Sequence, residues 1–443
     1  MKNSFFLFAL ILLTSAVACT PKIAQKIPSA ASVKSKNVLI HAGKGGFGPC
    51  EPSICISPKD KNKIVAGAVL NHVYSSEDGG ETWRRSVLLS DYGVYGDPVI
   101  GADYKGNFYY LHLSDPEHKG WASPRLLDRI VAQKSTDGGL SWNNGSFMGM
   151  HHPKDQDKHW IGIDPESNAL YVTWTEFDKY GSENPADKSR ILFSKSTDEG
   201  ETWSETVAIN QYEGDCIDGD QTTEGAIPVA GLNGEIYVAW AYDNKLWFDV
   251  SKDGGETWLS EDIVIAEQPG GWAFEVPDIG RANGMPVLGI DRTDGPNRGT
   301  LYVNWTDQTH GPDDIDVWFA KSTDNGKTWS KPKRVNDDPA GKQQFFTWMS
   351  VDPITGHIYT VFYDRRNYDD SRTDVYLAYS TDGGETFTNQ RISETPFLPT
   401  AKNVFFGDYN NISAYDGRVR PIWTRCDNGK LSVWTSLLEF GEK

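Results

Sequence analysis

The chain has 443 residues, a formal net charge of −18 and a hydrophobic content of 38%. This length and apolar content suffice for one large domain or for several smaller ones with a sizeable core. The negative charge argues against nucleic acid and anionic membrane surfaces as partners, because basic patches drive both kinds of binding. It does not exclude an acidic ligand, which a few local arginines can bind.

Residues 1–19 have the pattern of an export signal rather than of a folded element. The apolar run FFLFALILLTSAVA (5–18) is too short for an ordinary membrane-spanning helix. It ends in small residues before Cys19, a pattern that resembles the bacterial lipobox, in which cleavage leaves a lipidated cysteine. We expect a lipoprotein anchored in the cell envelope, at the outer membrane or cell surface. Simple secretion or a periplasmic location is the alternative.

Residues 20–36 are polar and lack aromatic side chains, so they are predicted to form a flexible tether. We expect a single domain over residues 37–443. An exported protein can oxidise its cysteines, and the three pairings that four cysteines allow are equally open from the sequence. Their spacing is not that of a zinc site. The four are Cys50, Cys55, Cys216 and Cys426.

An eight-residue motif recurs at intervals of about 60 residues, a period typical of propeller blades or similar all-β units. Each copy follows a short alternating run that predicts a strand entering a hairpin. Its Ser and Asp side chains can accept hydrogen bonds from turn N–H groups, its glycines tolerate positive φ, and its final aromatic ring can cover the turn. The motif is therefore interpreted as a structural staple. The copies are SEDGGETW (76–83), STDGGLSW (135–142), STDEGETW (196–203), SKDGGETW (251–258), STDNGKTW (322–329) and STDGGETF (380–387).

A second repeat gives the number of blades, because seven segments resemble innermost strands and a second strand follows each. The seventh unit lacks a fourth strand, and NVLIHAG (37–43) is left unassigned. We predict that this N-terminal strand completes the last blade and closes a ring of seven four-stranded blades. The seven segments start at CEPSICISP (50–58), GDPVIGAD (96–103), KHWIGID (158–164), EGAIPVAG (224–231), GMPVLGID (284–291), TWMSVDP (347–353) and DYNNISAYD (408–416).

The pattern S-x-D-x-G-x-T-W is similar to the Asp box of sialidases and of related bacterial neuraminidase repeats. The nearest resemblance is to uncharacterised secreted sialidase-like proteins, and it covers nearly the whole chain after the signal. It implies an all-β propeller in which each box lies between the two outer strands, far from a central active site. Typical sialidases have six blades, which is the alternative to seven here.

Polar residues gather at the predicted starts of the inner strands, which line the channel of a propeller. These residues either cap strand ends and bind water, or they form a functional funnel at one end of the channel. Burying polar groups together costs free energy unless they are hydrated or bind a ligand, which favours one of these two roles. The residues are Glu51, Asp97, Lys158, His159, Glu224, Asp408 and Tyr409.

Two loops add candidate ligand-binding residues at the same face. The long segment 267–284 contains Trp272, a candidate for stacking against a sugar ring, and Arg281, a candidate for pairing with a carboxylate or sulfate. Arg365 follows a second strand and either binds ligand or pairs with nearby aspartates. The histidines of 148–160 do not form a convergent metal set, and calcium at 311–318 is only a weak alternative, so we expect no cofactor.

The sialidase resemblance is incomplete, because no Arg-Ile-Pro motif is present and the first inner strand opens with Glu51. Glu224 and Tyr409 stand where the Glu–Tyr nucleophile pair of that family could meet. We predict a glycoside hydrolase that uses Asp97, Glu224 and Asp408 as candidate carboxyl groups, with Tyr409 as a candidate nucleophile.

Two other functions remain open. A polysaccharide lyase would use Tyr409 or His159 as the base and Arg281 against a uronate. For either enzyme the candidate substrate-binding residues are Arg281, Trp272, Glu51 and Arg365. A non-catalytic propeller would bind glycan or protein in the same funnel. The expected partner is an extracellular glycan, neutral or acidic. The protein is expected to be a monomer that contacts the membrane only through its lipid.

Overall fold

The computed structural model describes residue 1 and residues 33–45, 47–399 and 404–441. A compact unit spans Val33–Lys443. Cys19, the apolar run before it and most of the predicted tether lie outside the described residues. Among the described residues, no helix has the length and apolar character needed to cross a membrane.

Seven four-stranded antiparallel sheets form the blades of a propeller, which confirms the predicted fold class. The N-terminal strand is β1 (Lys36–Ala42). Blades 1 and 2 consist of β2 (Ser53–Ile56), β3 (Ile64–Ala68), β4 (His72–Ser76), β5 (Arg84–Val87), β6 (Val99–Ala102), β7 (Phe108–Leu113), β8 (Ile130–Ser135) and β9 (Ser146–Met148). Blades 3 and 4 consist of β10 (Asp155–Ile163), β11 (Leu170–Phe177), β12 (Ser189–Ser196), β13 (Val207–Ala208), β14 (Glu224–Ala230), β15 (Ile236–Tyr242), β16 (Lys245–Ser251) and β17 (Ile263–Glu267).

A two-stranded hairpin, β18 (Ala273–Val276) and β19 (Gly280–Asn283), separates blades 4 and 5. Blades 5 and 6 consist of β20 (Val287–Ile290), β21 (Leu301–Asp307), β22 (Asp316–Ser322), β23 (Lys333–Arg334), β24 (Gln344–Val351), β25 (Ile358–Asp364), β26 (Asp374–Ser380) and β27 (Thr388–Arg391). Blade 7 contains β28 (Asn411–Tyr415), β29 (Arg418–Asp427) and β30 (Lys430–Glu439). A short 3-10 helix, Gly120–Ala122, interrupts blade 2.

The N-terminal strand closes the ring as predicted. In blade 7 the strand order is β28-β29-β30-β1, so the outermost strand comes from the opposite end of the chain. The register runs from Lys36 opposite Leu437 to Ala42 opposite Ser432. Pairing across the two ends removes the edge that β30 would otherwise expose.

The Asp boxes have one geometry in all six copies. In the sixth copy, Ser380 Oγ donates to Asp382 Oδ1 at 2.7 Å and accepts the Gly384 N–H at 2.9 Å. Asp382 also accepts the N–H of Thr386 at 2.9 Å and its hydroxyl at 2.6 Å. The box is therefore a turn held together by its own side chains, as the sequence predicts.

Each of the last three boxes also packs against the preceding blade, which the sequence did not predict. The rings of Trp258, Trp329 and Phe387 meet Phe193, Phe248 and Phe319 edge to face at 5.1 to 5.4 Å. The second Gly of the sixth box is so close to Phe319 that an added Cβ would lie 2.4 Å from its ring. These boxes therefore join neighbouring blades as well as the strands within a blade.

Candidate functional site

The inner strands of blades 1 to 3 present charged side chains to the axis through a local backbone irregularity. Glu51, Asp97 and Lys158 have φ of 49°, 49° and 50°, in the left-handed region that non-glycine residues seldom occupy. In blade 3 the strand register shifts between Asp157 and Trp160, as in a β-bulge. Bulges and strained residues re-aim side chains and are frequent at functional sites. All three charged residues line one cavity.

The axial cavity has a volume of about 400 Å³. Four carboxyl groups and two cationic groups line it, and five aromatic rings form its rim. The charged residues are Glu51, Asp97, Asp157, Lys158, Arg281 and Asp408. The aromatic residues are Phe47, Tyr95, Trp121, Tyr180 and Phe405.

Lys158 is the central cation of the cavity floor. Its ammonium group donates to Asp408 Oδ2 at 2.7 Å and contacts Asp97 Oδ2 at 3.4 Å, and its side chain is 6% exposed. Burial alone would raise the pKa of Asp408, but Lys158 and Arg281 outweigh it and lower that pKa to about 2. Asp408 is thus ionised at neutral pH.

Arg281 reaches the cavity from the β18–β19 hairpin. Its Nε donates to Asp408 Oδ1 at 2.9 Å, its Nη2 donates to Asp408 Oδ2, and its Nη1 donates to Asp218 Oδ2 at 2.6 Å. Asn283 of the same hairpin donates to the Asp408 carbonyl oxygen at 2.7 Å. The hairpin is therefore bound across the axis to blade 7.

Two other carboxyl groups of the cavity have a raised pKa. Burial, with the nearby charges of Asp97 and Asp408, raises the pKa of Glu51 well above its usual range. Burial also raises the pKa of Asp157 to about 7; Lys158 opposes this effect, and Asp97 and Asp218 add to it. Protonated and ionised carboxyl groups thus share one cavity, an arrangement that suits general acid–base chemistry.

The structure brings together four of the predicted site residues. Glu51, Asp97, Arg281 and Asp408 all line the axial cavity. Glu224 is fully buried beside it, where it accepts the hydroxyl of Thr175 at 3.4 Å. Burial, followed by the charges of Asp218 and Asp157, raises the pKa of Glu224 well above its usual range.

Tyr409 does not line this cavity. Its hydroxyl donates to the Pro98 carbonyl oxygen at 3.3 Å, and its ring lies 5.6 Å from Trp160 and 6.0 Å from Trp348. Those two tryptophans line a second axial cavity of about 320 Å³, farther along the inner strands. Tyr409 therefore belongs to an aromatic plug between the two parts of the channel.

The other three predicted residues also lie away from the axial cavity. His159 is 1% exposed, and burial lowers its pKa to about 3, which keeps the ring neutral. Trp272 is buried, and its ring lies 2.8 Å from where a Cβ on Gly225 would stand, so it packs in the core. Arg365 is buried and donates to the Pro277 carbonyl oxygen at 2.8 Å, so it anchors the β18–β19 hairpin.

Sequence reasoning missed several residues of the cavity. The sequence placed Lys158 at an inner-strand start like those of Glu51 and Asp97, but it did not predict the pairing of Lys158 with Asp408. Asp157, which lines the cavity, and Asp218, which is bonded to Arg281, were not predicted as site residues. The rim aromatics come from separate loops, and only the fold makes them neighbours: Trp121 lies 5.5 Å from Tyr180, and Phe47 stacks on Phe405 at 5.3 Å.

Neither metal ligation nor disulfide bonding is indicated at the candidate residues. Within the described part of the chain, no group of three or more His, Cys, Asp or Glu is arranged to hold a metal ion. Cys50, Cys55 and Cys216 are free thiols, so none of the three pairings left open by the sequence is formed.

Comparisons with known proteins agree with this fold. A family model described as the BNR/Asp-box repeat matches residues 320–331, which contain the fifth box. The xyloglucanase Xgh74A of Acetivibrio thermocellus is 24% identical over 409 residues, covering 83% of this chain and 41% of that protein. The chain therefore spans less than half the length of this curated relative.

Solved structures with similar folds include enzymes and a protein without assigned function. The Hadza microbial sialidase Hz136 has a TM-score of 0.50 at 15% identity, over 85% of this chain and 73% of that chain. An ulvan lyase bound to -[GlcA(1-4)Rha3S]- has a TM-score of 0.53 at 13% identity, over 92% and 96%. A Dyadobacter fermentans protein of unknown function has a TM-score of 0.50 at 15% identity, over 92% and 99%. The chain is an Asp-box β-propeller with the sialidase-like fold.

Proposed function

We propose that the protein is a glycoside hydrolase that acts on an uncharged glycan in the axial cavity. The observation that carries the proposal is the cavity itself, where an ionised carboxylate and protonated carboxyl groups lie under a rim of aromatic rings. Glycosidases use one neutral and one ionised carboxyl group, and aromatic rings are common contact surfaces in ligand pockets. The xyloglucanase, sialidase and lyase named above are all enzymes of glycans, which supports this class.

The cavity residues divide into reacting and positioning groups. Asp157 is the proposed general acid, because its pKa of about 7 leaves it substantially protonated near neutral pH. Asp97 is the proposed base or nucleophile, since its ion pair with Lys158 is long at 3.4 Å. Both oxygens of Asp408 are bonded to cations, so this carboxylate positions Lys158 and Arg281 rather than reacting.

A hydrolase fits the cavity better than a lyase. Lyase chemistry needs a cation to neutralise the substrate uronate and a Tyr or His base. Lys158 and Arg281 are already paired with carboxylates of the chain, and Tyr409 and His159 do not line the cavity. Tyr95 and Tyr180 do line it, but burial raises the pKa of both hydroxyls, and that of Tyr180 donates to Asp218, which disfavours either as a base.

Turnover of a polysaccharide panel tests the proposal. The purified protein is incubated with xyloglucan, other neutral polysaccharides and uronic-acid polysaccharides, and new reducing ends and near-ultraviolet absorption are followed. We expect reducing ends from a neutral polysaccharide without absorption. An absorbing, unsaturated product would instead identify a lyase, and binding without turnover would identify a scaffold.

Asp157→Asn tests the assignment of the acid. We expect kcat to fall by roughly 100-fold or more, the usual contribution of a general acid. In the unaltered protein kcat/KM should decline as the pH rises through about 7, because Asp157 then loses its proton. Glu166→Gln, at an exposed turn of the same blade, is the control. Unchanged turnover by Asp157→Asn would exclude Asp157 as the acid.

We further propose export with lipid attachment at Cys19, in agreement with the small residues that precede it. Cys19→Ala should then prevent incorporation of labelled fatty acid and leave the precursor poorly processed. Continued labelling of the variant would contradict lipidation at this residue.

A further inference from the structure

Arg281 is paired with two carboxylates of its own chain, Asp408 and Asp218. All three guanidinium nitrogens donate: Nε and Nη2 to Asp408, and Nη1 to Asp218. An arginine that recognises a substrate carboxylate normally presents a free fork of two N–H donors. Here that fork faces Asp408, and the adjoining donor faces Asp218.

Asp218 is held in place at this position. Its Oδ2 accepts from Arg281 Nη1 at 2.6 Å and from the Tyr180 hydroxyl at 2.7 Å, and its side chain is 7% exposed. The backbone of Asp218 has a φ of 62°, in the left-handed region, which Asp and Asn adopt more readily than other non-glycine residues. The two hydrogen bonds therefore hold the Asp218 carboxylate against Arg281.

We propose that Asp218 determines specificity by occupying the place on Arg281 where the carboxylate of an acidic sugar would bind. The proposal rests on the function proposed above and names the residue that restricts its substrates to uncharged sugars. A uronate entering the cavity meets a cation that is already neutralised and two nearby carboxylates that repel it. Without Asp218, Arg281 Nη1 and the Tyr180 hydroxyl form a pair of donors that suits an external carboxylate.

Two substitutions at Asp218 separate the effects of charge and of space. Asp218→Gly removes the carboxylate, opens room beside Arg281 and suits the positive φ. Asp218→Asn removes the charge, keeps the size of the side chain and also tolerates positive φ. Glu213→Gln is the matched control, because Glu213 lies on the same segment and pairs with Arg190 rather than with Arg281.

The test measures binding by calorimetry with two oligosaccharides that differ only at carbon 6. These are a β-1,4-linked glucan tetrasaccharide and the corresponding β-1,4-linked glucuronan tetrasaccharide. We expect Asp218→Gly to bind the glucuronan at least about tenfold more tightly than the unaltered protein does, as expected for one new charge-assisted hydrogen bond. Asp218→Asn should gain less, and Glu213→Gln should gain nothing.

Three outcomes distinguish the possibilities. No gain of glucuronan affinity in either folded Asp218 variant, checked by thermal melting, overturns the proposal. An equal gain in Glu213→Gln also overturns it, because a general change of charge would then suffice. Failure of the unaltered protein to bind or cleave any neutral glycan counts against the proposed function, whereas the gain at Asp218 still decides the present inference.

Discussion

At the scale of single residues, Lys158 influences the pKa of both the ionised and the protonated carboxyl groups in the axial cavity. It lowers the pKa of Asp408, which it contacts at 2.7 Å, and it limits the rise in the pKa of Asp157 that burial causes. Breaking a buried ion pair from one side leaves an uncompensated charge, so this lysine is expected to be intolerant of substitution. Lys158 therefore acts with Arg281 and with burial to set which carboxyl groups of the site are ionised.

Tyr409→Phe tests the role of the aromatic plug. If Tyr409 were the reacting group that the sequence suggested, loss of its hydroxyl would cut turnover about 100-fold. Its hydroxyl is bonded to the Pro98 carbonyl oxygen, so we now expect turnover to change by less than about threefold and the free energy of unfolding to fall by about 1 kcal/mol. Parallel kinetics and chemical denaturation measure both effects. A large loss of kcat with unchanged stability would restore Tyr409 to the reacting groups.

At the scale of elements, the Asp box is a turn that stabilises both its own blade and the packing of that blade against its neighbour. Within a blade, its Ser and Asp side chains satisfy the N–H groups of the turn. Between blades, the closing ring of the sixth box meets Phe319 of blade 5 at 5.2 Å. Edge-to-face aromatic pairs of this kind stabilise beyond the area they bury. The box therefore supports the ring of blades, at a distance from the axial cavity.

Asp382→Ala measures this structural contribution in the sixth box. Asp382 accepts two bonds from Thr386 and one from Ser380, and we expect its loss to lower the free energy of unfolding by about 1–2 kcal/mol. Glycan binding by the folded fraction should be unchanged. Asp369→Ala, at a fully exposed position of the same blade, is the control. A selective loss of glycan binding with normal denaturation would contradict the structural role.

At the scale of the whole molecule, closure of the ring depends on a strand far from its partner in sequence. Residues of β1 pair with residues of β30 about four hundred positions away, from Lys36 with Leu437 to Ala42 with Ser432. Side chains reinforce the closure, since Asn37 Nδ2 donates to the Ile392 carbonyl oxygen of blade 6 at 2.8 Å. An open ring would expose a strand edge and separate blades that share the axial cavity.

Deletion of residues 36–42 tests the closure. We expect the melting temperature to fall by roughly 5 °C, because a loss of several kcal/mol shifts it by about 1 °C per kcal/mol at an unfolding entropy of about 2.1 cal/mol/K per residue. Deletion of residues 22–31, a polar segment of the predicted tether, is the control and should have little effect. Similar melting temperatures for the two truncations would refute the stabilising role of β1.

The sequence by itself determined the repeated architecture. Seven inner-strand segments gave the number of blades, the boxes gave the turn geometry, and the unassigned strand at residues 37–43 gave the closure. These features were readable because strand alternation and turn chemistry act over a few residues and are repeated in each blade. The gathering of Glu51, Asp97 and Asp408 at one end of the axis followed from the same repeat.

Only the tertiary structure decided which polar groups act together. Asp408 lines the cavity while its neighbour Tyr409 packs in the plug, and Arg281 reaches the axis while Trp272 of the same loop packs in the core. Adjacent residues can face different surroundings because each side chain's direction depends on bulges and strained φ angles that composition does not encode. The sequence also does not determine which carboxyl groups of the cavity are protonated. A carboxyl group's pKa depends on burial and on charges brought near by folding, so Asp157 and Asp408 differ although both are aspartates.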